Sequence, residues 1–346
     1  MINTDSSNLS TLVSLANTKY SSNPIISFIV PCYNEEEVFP DTAKRLYEKM
    51  KNLISEQLIS EKSKILFIDD GSSDNTWNLI EKKYNEYPSY FGGIKLSQNR
   101  GQQNALLCGL LAVRGYIDAT ITLDADLQDD IDVIDKMIEK YHSGYEIVYG
   151  VRSARNKDSF LKRTTAEGFY RFMRFLGVDI VYNHADFRLM GKIALEALAE
   201  YSEVNLFLRG IVPLLGYKTC IEYYIRTERQ AGITKYPFHK MFKFAIEGIT
   251  SFSIKPIRLI TILGILLFTV SVIMIVYFFI RFFSGQTVTG WASIVCSLWG
   301  IGGLILFSIG IVGEYIGKIY LETKRRPRYH IEQVLFEHQC QQVRKD

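Results

Sequence analysis

The sequence predicts an α/β protein in which a mostly parallel sheet domain is followed by amphipathic helices and a pair of membrane helices. Between residues 25 and 150, short apolar runs alternate with helical patterns. This alternation favours right-handed crossovers onto a sheet that is covered on both faces. Near the C-terminus, the stretches 259–280 and 291–312 contain no charged residue. As a helix, each would reach roughly 33 Å, enough to cross a hydrocarbon core of about 30 Å.

The elements of the sheet domain follow one another in regular order. Strands are predicted at IISFIV, KILFID, GGIKLS, DATITLD and YEIVYG, and helices from about Glu35 to Ile54, from about Asp74, from Gly101 to Arg114 and near 131–142. Ligands of such sheets bind beyond the carboxyl ends of the strands. The polar segments that follow the strands are PCYNEEE, DDGSSDNT, NRGQQNA and DADLQ. Each alone is equally typical of a helix cap, but four at equivalent positions indicate a binding edge.

The chain divides into five predicted parts. They are a flexible N-terminal tail at 1–24, a cytoplasmic domain at 25–235, a juxtamembrane amphipathic helix at 236–256, a transmembrane hairpin at 257–317 and a basic cytoplasmic tail at 318–346. The N-terminal tail has no apolar core after a basic start, so it is not typical of a signal peptide. The amphipathic helix mixes aromatic residues with lysines, and the segment AEGFYRFMRFLG mixes them with two arginines. This composition suits a bilayer surface with anionic lipid.

Basic residues flank the predicted hairpin asymmetrically. Only Arg281 lies in the connecting loop, whereas the residues outside the two spans include Lys240, Lys243, Lys255, Arg258, Lys318, Lys324, Arg325, Arg326 and Arg328. The positive-inside rule then predicts a multi-pass protein of the inner membrane with the catalytic domain and both termini in the cytoplasm. The net charge of +3 is too small to indicate a nucleic-acid partner. Five cysteines without a CxxC pair indicate neither a disulfide framework nor a zinc site.

The segment TLDADLQDD, residues 122–130, concentrates acidic and amide side chains behind an apolar run. Asp124 and Asp126 would present hard oxygen ligands to Mg²⁺ or Mn²⁺, with Gln128 as a further donor and a diphosphate in the remaining positions. The sequence has neither a GxxxxGKS/T nor a GxGxxG motif, so backbone amides are not expected to carry the phosphates. Asp129 and Asp130 are interpreted as a solvated turn that caps the next helix.

The motifs PCYNEEE, DDGSSDNT, NRGQQNAL, DADLQDD, GVR, ADFRLM, RGIVPLLG and ERQAGITKYP occur in this order before the paired spans. This set, over about residues 25 to 320, resembles the inverting family 2 glycosyltransferases. Among these it is similar to the polyprenyl-phosphate type, which includes dolichyl-phosphate mannose synthase and the bactoprenol glucosyltransferases. The resemblance implies the glycosyltransferase A-type fold, a Rossmann-like and mostly parallel sheet.

The resemblance also implies roles for single positions. It implies a nucleotide-sugar pocket of Pro31, Tyr33, Glu35, Ile68, Asp69, Asp70, Asp124, Ala125, Asp126, Gln128, Arg229 and Lys235. It implies a metal site of Asp124, Asp126 and Gln128, catalytic roles for Asp126, Arg152 and Asp186, and acceptor-phosphate contacts from Arg152, Lys162, Arg163 and Arg209. The sequence departs from the family pattern at Thr234, at Arg100 and in LKRTTAEGFYRF, which lacks a serine after its arginine.

The implied activity is transfer of a sugar from a nucleotide sugar, such as UDP-glucose or UDP-N-acetylhexosamine, to undecaprenyl phosphate with inversion. The product would donate sugar for cell-envelope glycan modification, including that of O-antigen or lipopolysaccharide. A lipid phosphate is mostly a dianion at pH 7 and needs no base, so Asp186 is predicted to orient other groups. Two alternatives are a processive polysaccharide synthase, whose QxxRW motif the sequence lacks, and a non-catalytic membrane-anchored nucleotide-sugar-binding protein. Homo-oligomerisation is left open.

Overall fold

A computed structural model describes residues 21–153, 184–204, 208–225, 255–283 and 291–336. The chain forms two compact units. The described part of the first unit extends to residue 225 and takes in 327–336 as well; it holds the sheet and its helices. The described part of the second unit lies between 255 and 326 and consists of two long helices.

One mixed sheet of eight strands organises the first unit. The strands are β1 (Ile26–Cys32), β2 (Lys64–Asp69), β3 (Phe91–Leu96), β4 (Ala119–Thr122), β5 (Ile147–Arg152), β6 (His184–Gly191), β7 (Thr219–Tyr224) and β8 (Ile331–Leu335). Their order is β7-β5-β6-β4-β1-β2-β3-β8. The pairs among β4, β1, β2 and β3 are parallel, as is β5 with β7, whereas β6 and β8 run antiparallel to their neighbours. The mostly parallel α/β fold is therefore confirmed.

Helices connect the strands, four of them where the sequence predicts helices and two, α5 and α6, beyond that prediction. They are α1 (Phe39–Ser55), α2 (Thr76–Glu86), α3 (Gln102–Val113), α4 (Val133–His142), α5 (Lys192–Ala199) and α6 (Leu208–Leu214). α1 begins four residues later than predicted, because Glu35 opens a hydrogen-bonded turn in which its carbonyl accepts from the backbone N–H groups of Val38 and Phe39. Pro40 then lies in the first turn of α1, where its missing N–H costs nothing.

Close packing in the core supports the central strands of the sheet. Every residue of β1 is buried, as expected for a central strand covered on both faces. α3 lies so close to the sheet that a Cβ at Gly109 would stand 2.5 Å from Ile29 Cγ2 and 2.9 Å from Ile68 Cγ1. Glycine at this position therefore allows the helix to pack against β1 and β2.

Residues 318–346 were predicted to be a basic tail, and the structure corrects this for their central part. β8 pairs with β3 from Gly93 to Leu96, and Trp77 Nε1 donates to Gln333 Oε1 at 2.7 Å. The stretch HIEQVLF has no regular alternation of apolar and polar residues, so it carries no clear strand signal. The segment nevertheless completes the sheet.

The second unit contains α7 (Lys255–Phe283) and α8 (Trp291–Lys324), which contact each other. These helices cover both predicted spans. Within the described residues, length and composition qualify one helical segment, Ile301–Lys324, to cross a membrane, and Ile257–Leu266 is a shorter apolar helix. The predicted juxtamembrane helix lies almost wholly outside the described residues, as does most of the loop between the spans.

Candidate active site

The polar segments after β1 and β2 form one hydrogen-bonded structure. The N–H of Asn34 donates to Ser72 Oγ at 3.0 Å, and Asn34 Oδ1 accepts from the N–H of Ser73 at 2.9 Å. The N–H of Glu35 donates to Thr76 Oγ1 at 2.9 Å. Asn34 has φ of +53°, a value that asparagine tolerates better than most residues. Tyr33, directly after β1, is 47% exposed, and its contact with a base stays a prediction.

Asp69 and Asp70 are buried behind this surface. Asp70 accepts from the N–H groups of Arg100 at 2.7 Å and Gly101 at 2.9 Å, so its carboxylate shapes the loop between β3 and α3. Asp69 Oδ1 accepts from the N–H of Ser72 at 3.3 Å, and Asp69 Oδ2 has no hydrogen-bond partner among the described residues. Burial raises the pKa of both carboxyl groups, although the backbone donors oppose this shift.

Two other predicted pocket residues lie below the surface. Pro31 and Ile68 are cross-strand partners on β1 and β2, and both are buried. The side chain of Ile68 faces Gly109 of α3. These residues therefore support the end of the sheet from within, and their contact with a nucleotide stays a prediction.

The acidic turn after β4 places its carboxylates at the surface by alternation. Leu123, Ala125 and Leu127 are buried, whereas Asp124 and Asp126 are partly exposed. The N–H of Leu127 donates to the carbonyl of Asp124 at 3.2 Å, and Leu127 has φ of +40°. From α1, Thr42 Oγ1 donates to the carbonyl of Ala125 at 2.6 Å. The turn is thus held by a hydrogen bond within its own backbone and by one from α1.

Asp124 lies in an environment with excess negative charge. Its Oδ1 accepts from Gln102 Nε2 at 2.7 Å, a contact from α3 that the sequence analysis missed. Burial raises the pKa of Asp124 to about 7, and the charges of Asp129, Asp186 and Asp126 add to the shift while Arg152 opposes it. A cation at this turn would relieve that repulsion.

The Asp129 cluster, which we define as Asp129, Arg152 and Tyr224, corrects one prediction. The carboxylate of Asp129 is buried and makes no cap to α4, whose N-cap is Asp132. Instead, Asp129 Oδ1 accepts from Arg152 Nη2 at 3.1 Å and from the Tyr224 hydroxyl. The interpretation of Asp129 as a solvated cap was therefore wrong. Asp130 does lie in the predicted turn, where its Oδ1 accepts from the N–H of Asp132 at 3.0 Å.

The charge of Arg152 is firmly maintained. Burial opposes the charged form, but Asp129 and Tyr224 outweigh this and hold the pKa of Arg152 above its ordinary value. Burial, followed by the charge of Asp129, raises the pKa of Tyr224. Tyr224 therefore remains a neutral hydroxyl that accepts from Arg152 Nε at 3.1 Å and donates to Asp129.

Asp186 on β6 binds two arginines. Its two oxygens accept from Arg209 Nε at 3.1 Å and Arg209 Nη2 at 3.0 Å, a bidentate pair, and Arg188 Nη2 lies 3.5 Å from Oδ1. Asp186 is 5% exposed and Arg188 is fully buried, whereas the Arg209 side chain is 33% exposed. The structure thus brings Asp186 together with one predicted acceptor-phosphate residue. Lys162, Arg163, Arg229 and Lys235 lie outside the described residues.

The carboxylates of the acidic turn suit a divalent cation whose coordination phosphate oxygens would complete. In the described part of the chain, no three His, Cys, Asp or Glu side chains lie together so as to hold an ion. Asp124 and Asp126 lie two residues apart on one turn, and the pKa of Asp124 is raised first by burial and then by the neighbouring carboxylates of Asp129, Asp186 and Asp126. Oxygen ligands from a bound diphosphate would fill the remaining positions around Mg²⁺ or Mn²⁺.

Comparisons with known proteins found two matching family models and several similar proteins. Residues 27–199 match the model of Glycosyl transferase family 2, and residues 255–319 match the GtrB C-terminal hairpin. The sequence is 53% identical over 326 residues to the uncharacterized glycosyltransferase YkoT of Bacillus subtilis (strain 168). The aligned part is 94% of this chain and 96% of that protein. It is 40% identical over 309 residues to the bactoprenol glucosyl transferase of Shigella phage SfX, covering 89% of this chain and 98% of that protein.

Proposed function

We propose, from the premise that the chain belongs to glycosyl transferase family 2, that it transfers a hexose from a UDP-sugar to undecaprenyl phosphate with inversion. Support comes from several relatives named bactoprenol glucosyl transferase that are 38% to 40% identical over 89% of this chain. The observation that carries the proposal is the carboxylate turn at Asp124 and Asp126 beside two ion-paired arginines, Arg152 and Arg209. Such a site suits two substrates that both carry phosphate.

The donor would occupy the edge formed by β1, β2 and the acidic turn. Tyr33 offers its ring to the base, and Asp69 lies buried directly behind this edge. Asp124, Asp126 and Gln128 would hold Mg²⁺ or Mn²⁺, which supplies charge neutralisation for the departing diphosphate. Gln102 and Thr42 fix the turn that presents these ligands.

The acceptor would lie on the side of β5 and β6. A polyprenyl phosphate has a second pKa near 6, so its dianion is already a nucleophile at pH 7. Its oxygen would attack the anomeric carbon as the nucleoside diphosphate leaves, and this single displacement inverts the centre. Asp186 is already committed to Arg209 and Arg188, which supports an orienting role. Arg152 and Arg209, with Lys162, Arg163, Arg229 and Lys235, would screen the two phosphate groups.

The membrane part of the proposal rests on the match to the GtrB C-terminal hairpin and on α7 and α8. We propose that both helices span the inner membrane, with the catalytic domain and both termini in the cytoplasm. A cysteine introduced into the loop at 284–290 should then be labelled by a thiol reagent added on the non-cytoplasmic side. Proteolysis of that loop from the cytoplasmic side would contradict this topology.

The proposed reaction can be tested with purified protein in nanodiscs. Radiolabelled UDP-glucose, UDP-N-acetylglucosamine and GDP-mannose are each incubated with Mg²⁺ and with or without undecaprenyl phosphate. One UDP-sugar should transfer label to the lipid fraction only when undecaprenyl phosphate is present, and nuclear magnetic resonance should show the inverted anomer. Label in a water-insoluble polymer, or nucleotide-sugar binding without transfer, would contradict the proposal.

A further inference from the structure

β5 and β7 end at the same level of the sheet. Arg152 and Tyr224, the last residues of these strands, are cross-strand partners. Directly beyond, the N–H and Oγ of Ser153 both donate to the carbonyl of Tyr224, at 2.8 Å and 2.9 Å. The sequence that follows β5 contains Lys162 and Arg163, and the sequence that follows β7 contains Arg229 and Lys235. The two stretches of sequence with predicted phosphate-binding residues therefore follow the paired residues Arg152 and Tyr224.

The Asp129 cluster ties this pair to the acidic turn. Arg152 Nε lies 3.1 Å from the Tyr224 hydroxyl and 3.3 Å from Asp129 Oδ1, so the three side chains form a closed triangle. Tyr224 is 3% exposed, and its ring packs edge-on against Phe187 with a centroid distance of 5.5 Å. The bonds at Nε and Nη2 fix the plane of the Arg152 guanidinium.

The sheet order separates this cluster from the predicted base pocket. β6 and β4 lie between β5 and β1, so the end of β5 is three strand spacings, or about 14 Å, from the end of β1. Groups at β5 and β7 are thus remote from Tyr33 and Asp69. A change at Tyr224, on the edge strand β7, should therefore leave the predicted base pocket undisturbed.

We propose that Tyr224 and Asp129 are positioning residues for the acceptor phosphate, which act by holding Arg152. This inference rests on the proposed function, because the acceptor there is a polyprenyl phosphate. A merely structural cluster would contribute to folding stability and would affect donor and acceptor alike. The positioning role instead requires that acceptor use falls while donor binding is kept.

The substitution Tyr224→Phe removes one hydroxyl and keeps the ring against Phe187. Tyr223→Phe is the matched control, because Tyr223 is the preceding residue of β7 and is 62% exposed. Both variants are compared with the full-length wild type in nanodiscs. The measurements are kcat/KM for undecaprenyl phosphate at saturating nucleotide sugar, the Kd for nucleotide sugar by calorimetry without lipid phosphate, and the thermal unfolding midpoint.

Tyr224→Phe should lower kcat/KM for undecaprenyl phosphate about tenfold, the size expected for a hydrogen bond to a charged group. Its Kd for nucleotide sugar should stay within about twofold of the wild-type value, since the base pocket is remote. Tyr223→Phe should match the wild type in both. Asp129→Asn should lower kcat/KM for undecaprenyl phosphate, as Tyr224→Phe does, because it weakens the hold on Arg152.

Two results would overturn the positioning role. One is equal kcat/KM for the acceptor in Tyr224→Phe and Tyr223→Phe, and the other is a loss of donor affinity as large as the loss of acceptor efficiency. If wild-type protein binds nucleotide sugar but transfers nothing to undecaprenyl phosphate, the proposed function fails and the inference fails with it. If the wild type transfers sugar and the two tyrosine variants are equal, the inference alone fails.

Discussion

The two sides of the site are built from different interactions. On the side of β1 to β3, side chains bind backbone groups of neighbouring loops, as Asp70 binds the N–H groups of Arg100 and Gly101. On the side of β5 to β7, charged side chains bind one another, as Asp186 binds Arg209 and Asp129 binds Arg152. The first kind of contact sets backbone shape, and the second sets the direction and balance of charge. The two sides should therefore respond differently to substitution.

The largest effect is expected at the acidic turn between the two sides. Asp124→Asn or Asp126→Asn should lower kcat by about a thousandfold or more, because a neutral amide is a poor ligand for a hard cation and leaves the diphosphate uncompensated. Gln128→Ala should be milder. Initial rates across a Mg²⁺ titration provide the measurement, and Asp130→Asn on the same turn serves as the control. Wild-type rates at limiting Mg²⁺ in either variant would show that the cation is bound elsewhere.

A smaller effect is expected when the charge balance beside β6 is changed. Asp186→Asn should lower the rate plateau by about a hundredfold, since Arg209 and Arg188 would lose their common partner. The acidic limb of the pH profile, near pH 6, should persist because it belongs to the lipid phosphate. The profile is measured at saturating nucleotide sugar. Loss of the limb, leaving a flat low rate, would make Asp186 the titrating base.

A stability effect is expected on the side of β1 to β3. In Asp70→Asn, one of two buried backbone donors would face an amide NH₂, so the free energy of unfolding should fall by about 1–3 kcal/mol. Burial raises the folded-state pKa of Asp70 above its ordinary value, so wild-type stability falls as pH rises from the ordinary pKa to the folded-state pKa. The variant should lack this pH dependence. Urea denaturation at several pH values measures both. Asp132→Asn, with a side chain that is 85% exposed, is the control.

A further effect concerns the pH dependence of the unliganded acidic turn. Asp124 has an ordinary pKa near 3.8 and a folded-state pKa of about 7, so the folded protein binds the proton more tightly between these values. Stability should therefore decrease as pH rises from about 4 to 7, and Mg²⁺ should raise the unfolding temperature more at pH 7 than at pH 5. Asp124→Asn should remove the difference. An equal effect of Mg²⁺ at both pH values would contradict this account of the turn.

The sequence was sufficient where a pattern is local. The strands from β1 to β5 follow from apolar runs of strand length, and the acidic turn follows from its place behind β4. The turns after β1 and β2 lie side by side because parallel strands bring their carboxyl ends to one edge. The same reasoning predicts that Tyr33 and Asp124 lie at that edge.

The sequence was insufficient where a partner is distant. Tyr224 contacts Asp129 across 95 positions, and Lys95 contacts Glu332 across 237, separations that leave no local signature. The residue type and position of Asp129 are typical of a helix cap. In the fold, however, β7 pairs with β5, and Asp129 binds Arg152 at the end of β5. The role of Asp70 in shaping the loop at Arg100 was likewise invisible. Tertiary pairing decided each of these cases.

The separation of the two sides is tested most directly by two variants measured side by side. Tyr33→Ala removes an exposed ring at the donor edge, and Arg209→Lys keeps the charge but loses the bidentate contact with Asp186. The measurements are the Kd for nucleotide sugar without lipid phosphate and KM for undecaprenyl phosphate at saturating donor. We predict that Tyr33→Ala weakens only donor binding and that Arg209→Lys raises only the acceptor KM, each by about tenfold. Equal shifts of both constants in both variants would contradict a site divided into a donor side and an acceptor side.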